Sequence, residues 1–272
     1  MTTERDYVLG THDDEIERLG LQHRVWRPRA LDAWRRAGFT AGQTIVDVGC
    51  GPGYATLDLA DIVGTSGRIF AVDRSRRFLD ALERVSRDRG LDARIETHEL
   101  DLADSPLPAW TADAAWARWI LAFVREPRAL LSRISKILRP GGVFVAHEYF
   151  DYSTWRLSPR SPELEEFVSI VIESWRAEGG EPDIGLDLPR WLEELGFEVR
   201  SLKTIVDAVH PSSFVWRWPS AFVEVGLARL VGLGRLTAGR SREIQAAFVA
   251  REREPTTLMI TPGVLEVIAA KK

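Results

Sequence analysis

Ile45-Val-Asp-Val-Gly-Cys-Gly-Pro-Gly-Tyr-Ala-Thr-Leu-Asp-Leu-Ala60 joins an apolar run to a helix-like segment through three glycines, Gly49, Gly51 and Gly53. Glycine lets a backbone turn tightly and lie close to a ligand, and ligands of parallel sheets sit at the carboxyl ends of the strands. Asp73 closes the next apolar run about two dozen residues after Gly49, where a carboxylate can accept hydrogen bonds from ribose hydroxyls. The chemistry indicated is the binding of an adenosine-type ligand. A dinucleotide loop has a third small residue that lets the following helix approach a pyrophosphate, and Tyr54 stands there instead. Asp47 adds negative charge just before the loop, repelling a phosphate and attracting an ammonium or sulfonium. The pattern suits a cationic nucleoside.

Further along, His147 lies near the carboxyl end of the fifth apolar run, where a general base for a hydroxyl acceptor could stand. Glu148 points to the opposite face if the strand is regular, so the two are competing catalytic candidates. A wall or core position is the plainer reading of His147. His23 is a candidate for substrate binding if the amino-terminal helices form a lid. His12, His98 and His210 read as surface or loop residues, and no histidine spacing suits a metal, so none is expected. Cys50 reads as a small filler rather than a nucleophile. Trp155, Trp175, Trp191, Trp216 and Trp218 crowd the second half of the chain. Core packing is the plain reading for each, yet together they suggest an apolar or aromatic acceptor, with Trp155 and Trp216 as candidates to touch it. Trp216-Arg-Trp218 and the apolar run after it could instead lie on a membrane, but their polar face is poor in Lys and Arg.

The elements that must position these residues follow from periodicity. Apolar runs at 44–48, 68–72, 93–98, 112–117 and 143–149 alternate with helical stretches near 54–63, 75–90 and 126–138, the last stopped by Pro140-Gly141-Gly142. That is the signature of βαβ units on a parallel sheet, a doubly wound α/β fold. Two helices are expected before it, one opened by Thr11 with Asp14 three residues on, the other through Leu21, Val25, Ala30, Leu31 and Trp34 despite Pro28. The second half predicts helices over 162–178 and 188–195, a strand over 197–206, an apolar helical run to Leu233, and closing strands at 256–260 and 264–268. No linker marks a boundary. The domain reading is an amino-terminal helical lid at 1–38 and one domain over 39–272, with substrate-cap inserts near 151–180 and 207–240.

Composition narrows the partners. The 272 residues are 45% hydrophobic and 28% charged, enough to bury a sizeable core. With 36 basic and 40 acidic side chains the net charge is −4, without the basic excess that nucleic acid demands. A single cysteine, a start unlike a secretory signal and no apolar stretch of membrane-spanning length make a soluble cytoplasmic protein the expectation. The expected partner is a small-molecule acceptor, with neither nucleic acid nor membrane. A monomer and a homodimer both stay open.

The chain resembles the class I S-adenosylmethionine-dependent methyltransferases, especially the small-molecule group similar to the quinone-biosynthesis methyltransferases. The resemblance covers about residues 40–150 and rests on Val46-Asp-Val-Gly-Cys-Gly-Pro-Gly, Ala71-Val-Asp73, Leu100-Asp101-Leu102, Asp113-Ala-Ala-Trp-Ala-Arg-Trp119 and Leu138-Arg-Pro-Gly-Gly-Val. It implies a seven-stranded Rossmann-like sheet of order 3-2-1-4-5-7-6, with residues 256–269 as the antiparallel seventh strand and 197–206 as the sixth. S-adenosyl-L-methionine is the implied cofactor and S-adenosyl-L-homocysteine the product. By the same resemblance Gly49, Gly51 and Gly53 would pass under the methionyl and ribose portions, and Asp47 would hold the α-ammonium. Asp73 would take both ribose hydroxyls with Arg74 beside the adenine, Asp101 would bond the adenine amino group, and the Leu102 backbone would face the ring. Arg118 would offer its carbonyl to the ammonium, and Trp119 would wall the methyl-transfer cavity. Tyr7 and Gln22, on helices that cover the cofactor in that group, would touch the methionyl end or the acceptor. The implied activity is methyl transfer to a small apolar or aromatic molecule. Cofactor cyclisation and a non-catalytic nucleoside-binding scaffold are the alternatives, and Tyr54 and Asp47 argue against a nicotinamide enzyme.

Overall fold

In the computed structural model, which describes residues 13–272, Thr-Ile-Val-Asp-Val forms strand β1 (Thr44–Val48). Its β-branched residues suit a pleated surface, and its nearly continuous apolar character suits a strand covered on both faces. β1 pairs in parallel with β2 (Arg68–Asp73) and β4 (Ala112–Arg118), and these pair in parallel with β3 (Ile95–Glu99) and β5 (Leu138–Asp151). Antiparallel β10 (Gly263–Lys271) then joins β5 to β7 (Phe197–Ile205). The order β3-β2-β1-β4-β5-β10-β7 is the expected topology once three short strands are set aside. These are β6 (Arg156–Ser158), β8 (Ala208–Val209) and β9 (Leu258–Ile260), which form a separate antiparallel sheet.

Helices α1 (Asp13–Ala37), α2 (Tyr54–Val63) and α3 (Arg76–Asp88) cover one face, where Trp34, Leu59, Leu79 and Leu82 share a core with Ile45, Ile69 and Trp116. On the other, α4 (Pro127–Ile137) and α6 (Leu188–Glu194) bring Leu130, Ile134, Leu188 and Leu192 to Val46, Phe70 and Phe144. A third core belongs to the cap: α5 (Pro162–Ala177), α7 (Arg217–Gly232), α8 (Ala238–Glu252) and the small sheet gather Trp155, Phe167, Trp175, Trp216, Trp218 and Phe248. It meets the carboxyl ends of β4 and β5 at Trp119 and Tyr149.

Three expectations are corrected. The two amino-terminal helices expected to meet near Gly20 are one, because buried Gly20 leaves room for the Tyr54 ring, whose hydroxyl donates to Ile16 O, and Trp26, Ala30, Ala33 and Trp34 stay buried through Pro28. The single seventh strand that the resemblance implied over 256–269 is two, as the periodicity had it: Leu258–Ile260 leaves for the small sheet and Pro262, lacking an N–H, separates it from β10. Helix α8 lies largely beyond the insert expected at 207–240.

Candidate functional site

The turn after β1 places Gly49, Gly51 and Gly53 at φ of 74°, 55° and 84°, all left-handed. A Cβ on Gly49 would sit 2.9 Å from Ile120 Cγ1, and one on Gly53 would sit 2.3 Å from Leu82 Cδ1, so these two are glycine for packing as well as for conformation. Gly51 faces open space. The loop is tied to β2: the Gly49 and Cys50 N–H groups donate to Val72 O, both at 2.9 Å, and Gly51 N–H donates to Asp73 Oδ2 at 2.8 Å. The other Asp73 oxygen accepts from Ser75 N–H at 2.9 Å. Burial pushes the Asp73 carboxyl up from the ordinary aspartate value, against these amide donors. The Arg74 backbone N–H is a third donor, and a carboxylate with about four acceptor sites keeps capacity for a ligand.

Two cavities meet at Gly49, Asp73 and Ile120. The smaller, about 80 Å³, is lined by Gln22, His23, Asp47, Gly51, Tyr54, Arg118 and Trp119 among others. Asp47 accepts from Thr56 Oγ1 at 2.6 Å, and burial raises its pKa to about 6 against the pull of Thr56 and Arg118. Arg118 is a buried guanidinium brought down to about 10 by desolvation. Its Nη2 donates to His23 Nδ1 at 3.2 Å, while Nη1 has no partner among the described residues. Because arginine can only donate, His23 is neutral with its proton on Nε2, which donates to Asp58 at 3.0 Å. Burial also lowers the His23 pKa. A buried guanidinium N–H without an acceptor is costly, and here it shares a small cavity with a carboxylate it does not bond.

The larger cavity, about 440 Å³, runs from Asp73, Arg74, Asp101 and Leu102 past Ile120 and Phe123 to Trp175, Glu178 and Arg229. Asp101 turns the chain by accepting from Ala103 N–H at 3.0 Å, and Leu102 O accepts from Arg133. Trp119 is the one non-glycine residue with positive φ among the described residues, at 52°, and its ring stacks on Tyr149 and Trp218.

The structure brings Asp47, the three glycines, Asp73, Arg74, Asp101, Leu102, Arg118, Trp119 and His23 to the joined cavities, although Gly53 contacts the α3 side chain Leu82 rather than lining them. Tyr7 lies outside the described residues. The catalytic expectations for His147 and Glu148 are corrected: neither lines either cavity. They do face opposite ways, but β5 is covered on both sides. His147 packs against Trp26 and Trp116 with Nε2 3.0 Å from Glu266, and burial lowers its pKa. Glu148 accepts the Ile120, Leu121 and Ala122 N–H groups at 2.9, 2.8 and 3.4 Å, anchoring the turn after β4, and burial lifts its pKa to about 7. Trp155 and Trp216 are corrected as acceptor-binding candidates. Both are 1% exposed in the cap core; Trp216 donates to Glu252 at 2.6 Å, and Trp155 borders a different surface hollow beside Arg160. His23 touches the small cavity rather than an acceptor space. Of the five tryptophans read together as pointing to an apolar acceptor, Trp175 lines the large cavity, while sequence reading missed the Arg118 side chain, Ile120, Phe123, Arg125, Glu178 and Arg229. The Arg118-Trp119-Ile120 step at the end of β4 was the available signal.

Among the described residues no three His, Cys, Asp or Glu side chains cluster to hold a metal, and no helix is long and apolar enough to cross a membrane.

Residues 46–146 match the family described as a methyltransferase domain. The chain is 27% identical over 174 residues to 2-phytyl-1,4-naphtoquinone methyltransferase of Synechococcus elongatus, covering 62% of this chain and 69% of that protein. Its fold is that of the [4+2]-cyclase SpnF (TM-score 0.58, 22% identity, 90% of this chain and 80% of that one). It is equally that of geranyl diphosphate C-methyltransferase from Streptomyces coelicolor A3(2) (TM-score 0.59, 17% identity, 92% and 77%).

Proposed function

We propose, for a chain that belongs to the class I S-adenosylmethionine-dependent methyltransferases, that the small cavity holds the zwitterionic methionyl end of the cofactor and the large one holds its adenosine and the acceptor. The observation that carries this is the meeting of Asp47 and the unpartnered Arg118 Nη1 in one cavity floored by the glycine loop. Asp47 would take the α-ammonium and Arg118 the α-carboxylate. Neutral His23, held by Asp58, keeps the guanidinium aimed. The open side of Gly51 leaves room for the ligand, Asp73 would accept the ribose hydroxyls, and Arg74, Asp101 and Leu102 would surround the adenine.

Bound there, the cofactor supplies a methyl group on a sulfonium, and displacement at that carbon needs an acceptor aligned and stripped of water. Positioning of this kind can contribute about 7–11 kcal/mol. With His147 and Glu148 outside the cavities, the activity rests on alignment and exclusion of water rather than on a base from β5. Apolar character in the acceptor is supported by Ile120, Phe123 and Trp175 along the large cavity and by the quinone and geranyl diphosphate acceptors in the relatives' names. The buried free thiol of Cys50 is in keeping with a reducing, cytoplasmic setting.

Titration calorimetry with S-adenosylmethionine, S-adenosylhomocysteine and NAD tests the reading: the first two should bind and NAD should not. Binding of NAD alone would remove it.

A further inference from the structure

Resting on the methyltransferase reading, we propose that the acceptor carries a carboxylate, gripped by Arg125 and Arg229 at the outer end of the large cavity, with its apolar body lying over Phe123 and Trp175. The lining changes sign along its length. Asp73, Asp101 and Asp104, with Arg74, come from the end of β2 and the turns after β2 and β3, while Arg125, Arg229 and Glu178 come from the turn after β4 and from the cap, a group with one unbalanced positive charge.

Arg229 holds a donor without a partner, and Arg125 stands exposed in the turn after β4. Arg229, on α7, has its Nε buried without a partner, and its Nη2 reaches Glu178 Oε2 at 3.4 Å, a long contact for a charged pair. Arg125 makes no ion pair or hydrogen bond among the described residues, whereas nearby Arg128 pairs with Glu194 at 2.7 Å and Arg133 donates to Leu102 O. Its stem is nonetheless packed. The turn after α5 packs Gly179 against the Arg125 stem, where a Cβ would lie 3.2 Å from Arg125 Cγ, and Gly180 against Ala122 O, where a Cβ would lie 2.5 Å away. Glu181 N–H donates to that same carbonyl at 3.0 Å. In the same lining Phe123 meets Trp175 edge to face at 4.9 Å, an apolar surface suited to an aromatic or aliphatic body.

A neutral acceptor would shut water from this end and leave the Arg229 Nε unpaired. A carboxylate accepts from guanidinium groups in a planar, two-point geometry and satisfies both arginines at once. The cation pair also fixes orientation: the charged end stays at the mouth and the apolar end points inward toward Ile120.

The test uses the full chain saturated with S-adenosylhomocysteine and a matched pair of probes, 1-hydroxy-2-naphthoate and 1-hydroxy-2-naphthamide, titrated by calorimetry. The acid should bind about tenfold more tightly than the amide, as expected for one charge-assisted contact at a partly exposed site. Arg229→Gln and Arg125→Gln should each narrow that preference, and the double variant should erase it. Glu178→Gln should strengthen acid binding by freeing Arg229, a gain that a purely structural role for these residues does not give. Affinity for S-adenosylhomocysteine should stay within about twofold in all of them. An acid bound no more tightly than its amide, or a preference that survives the double variant, overturns the proposal. A wild-type chain that does not bind S-adenosylhomocysteine overturns the methyltransferase reading instead, so the two failures are distinct.

Discussion

The cofactor end of the molecule and the cap above it solve recognition in opposite ways. At the cofactor end, the turns after β1, β2, β3 and β4 deliver carboxylates and backbone amides to one end of the sheet, and Asp73 and Asp101 are held by amides of the same turns or of the neighbouring one. In the cap, aromatic rings drawn from residues 119–248 hold one another, and their polar atoms are either paired inside the cap, as with Trp216 and Glu252, or left bare, as with Trp155 Nε1. Strand register places a charge to within a fraction of an ångström, which a charged ligand requires. Aromatic packing instead shapes a wall with little directional demand, which leaves acceptor choice to a few residues at its margin.

The sharpest way to break the contrast is Asp73→Ala. It removes the acceptor for Gly51 and Ser75 N–H groups as well as the ribose contact, so affinity for S-adenosylmethionine should fall by roughly a hundredfold or more in calorimetry. An unchanged affinity would place the ribose elsewhere. In the cap, Trp216→Phe should lower unfolding free energy by about 1–2 kcal/mol through loss of the Glu252 bond, measured by denaturant titration, and leave cofactor affinity as it was. A large loss of affinity instead would show that the two regions are coupled.

The pH dependence refines the cofactor end. Asp47 is raised to about 6 in the free protein, so below that pH it carries a proton that must leave before it can pair with an ammonium. Affinity for S-adenosylmethionine should therefore rise with pH, by at most about tenfold per unit below 6, and flatten above it. Asp47→Asn should flatten the profile. The smallest effect is expected from His147→Gln, which should keep turnover number within about threefold because the ring reaches neither cavity, whereas Glu148 anchors the turn that carries Ile120. Collapse of turnover with the fold intact by circular dichroism would restore a base to β5.

Legibility in the sequence followed chain distance. The runs that became β1 to β5 were readable because each carries a β-branched or apolar stretch near glycine, proline or charge, although β5 also takes in Pro140-Gly141-Gly142, where the sequence had marked only the stop of a helix. Helix α8 was not, since only Ile244 and Phe248 are buried on it and its signals reduce to the Thr237 cap and that four-residue spacing. His147 and Glu148 were correctly seen as facing opposite sides of a strand. Which side holds ligand could not be read there, because Glu266 of β10 closes over one and the amides of 120–122 over the other. The Arg118, His23 and Asp58 chain was likewise hidden, its members coming from β4, α1 and α2.

What the amino-acid order settles alone is local: a glycine turn that needs left-handed backbone, an acid at the end of the next strand, and a charge pattern unfit for phosphate. Those depend on contacts within one or two βα units, whose geometry the chain enforces by itself. Which buried cation faces which anion, which histidine is walled off, and which guanidinium nitrogens of Arg118 and Arg229 are left without an acceptor were decided only when distant helices closed over the sheet, because desolvation and pairing belong to neighbours in space.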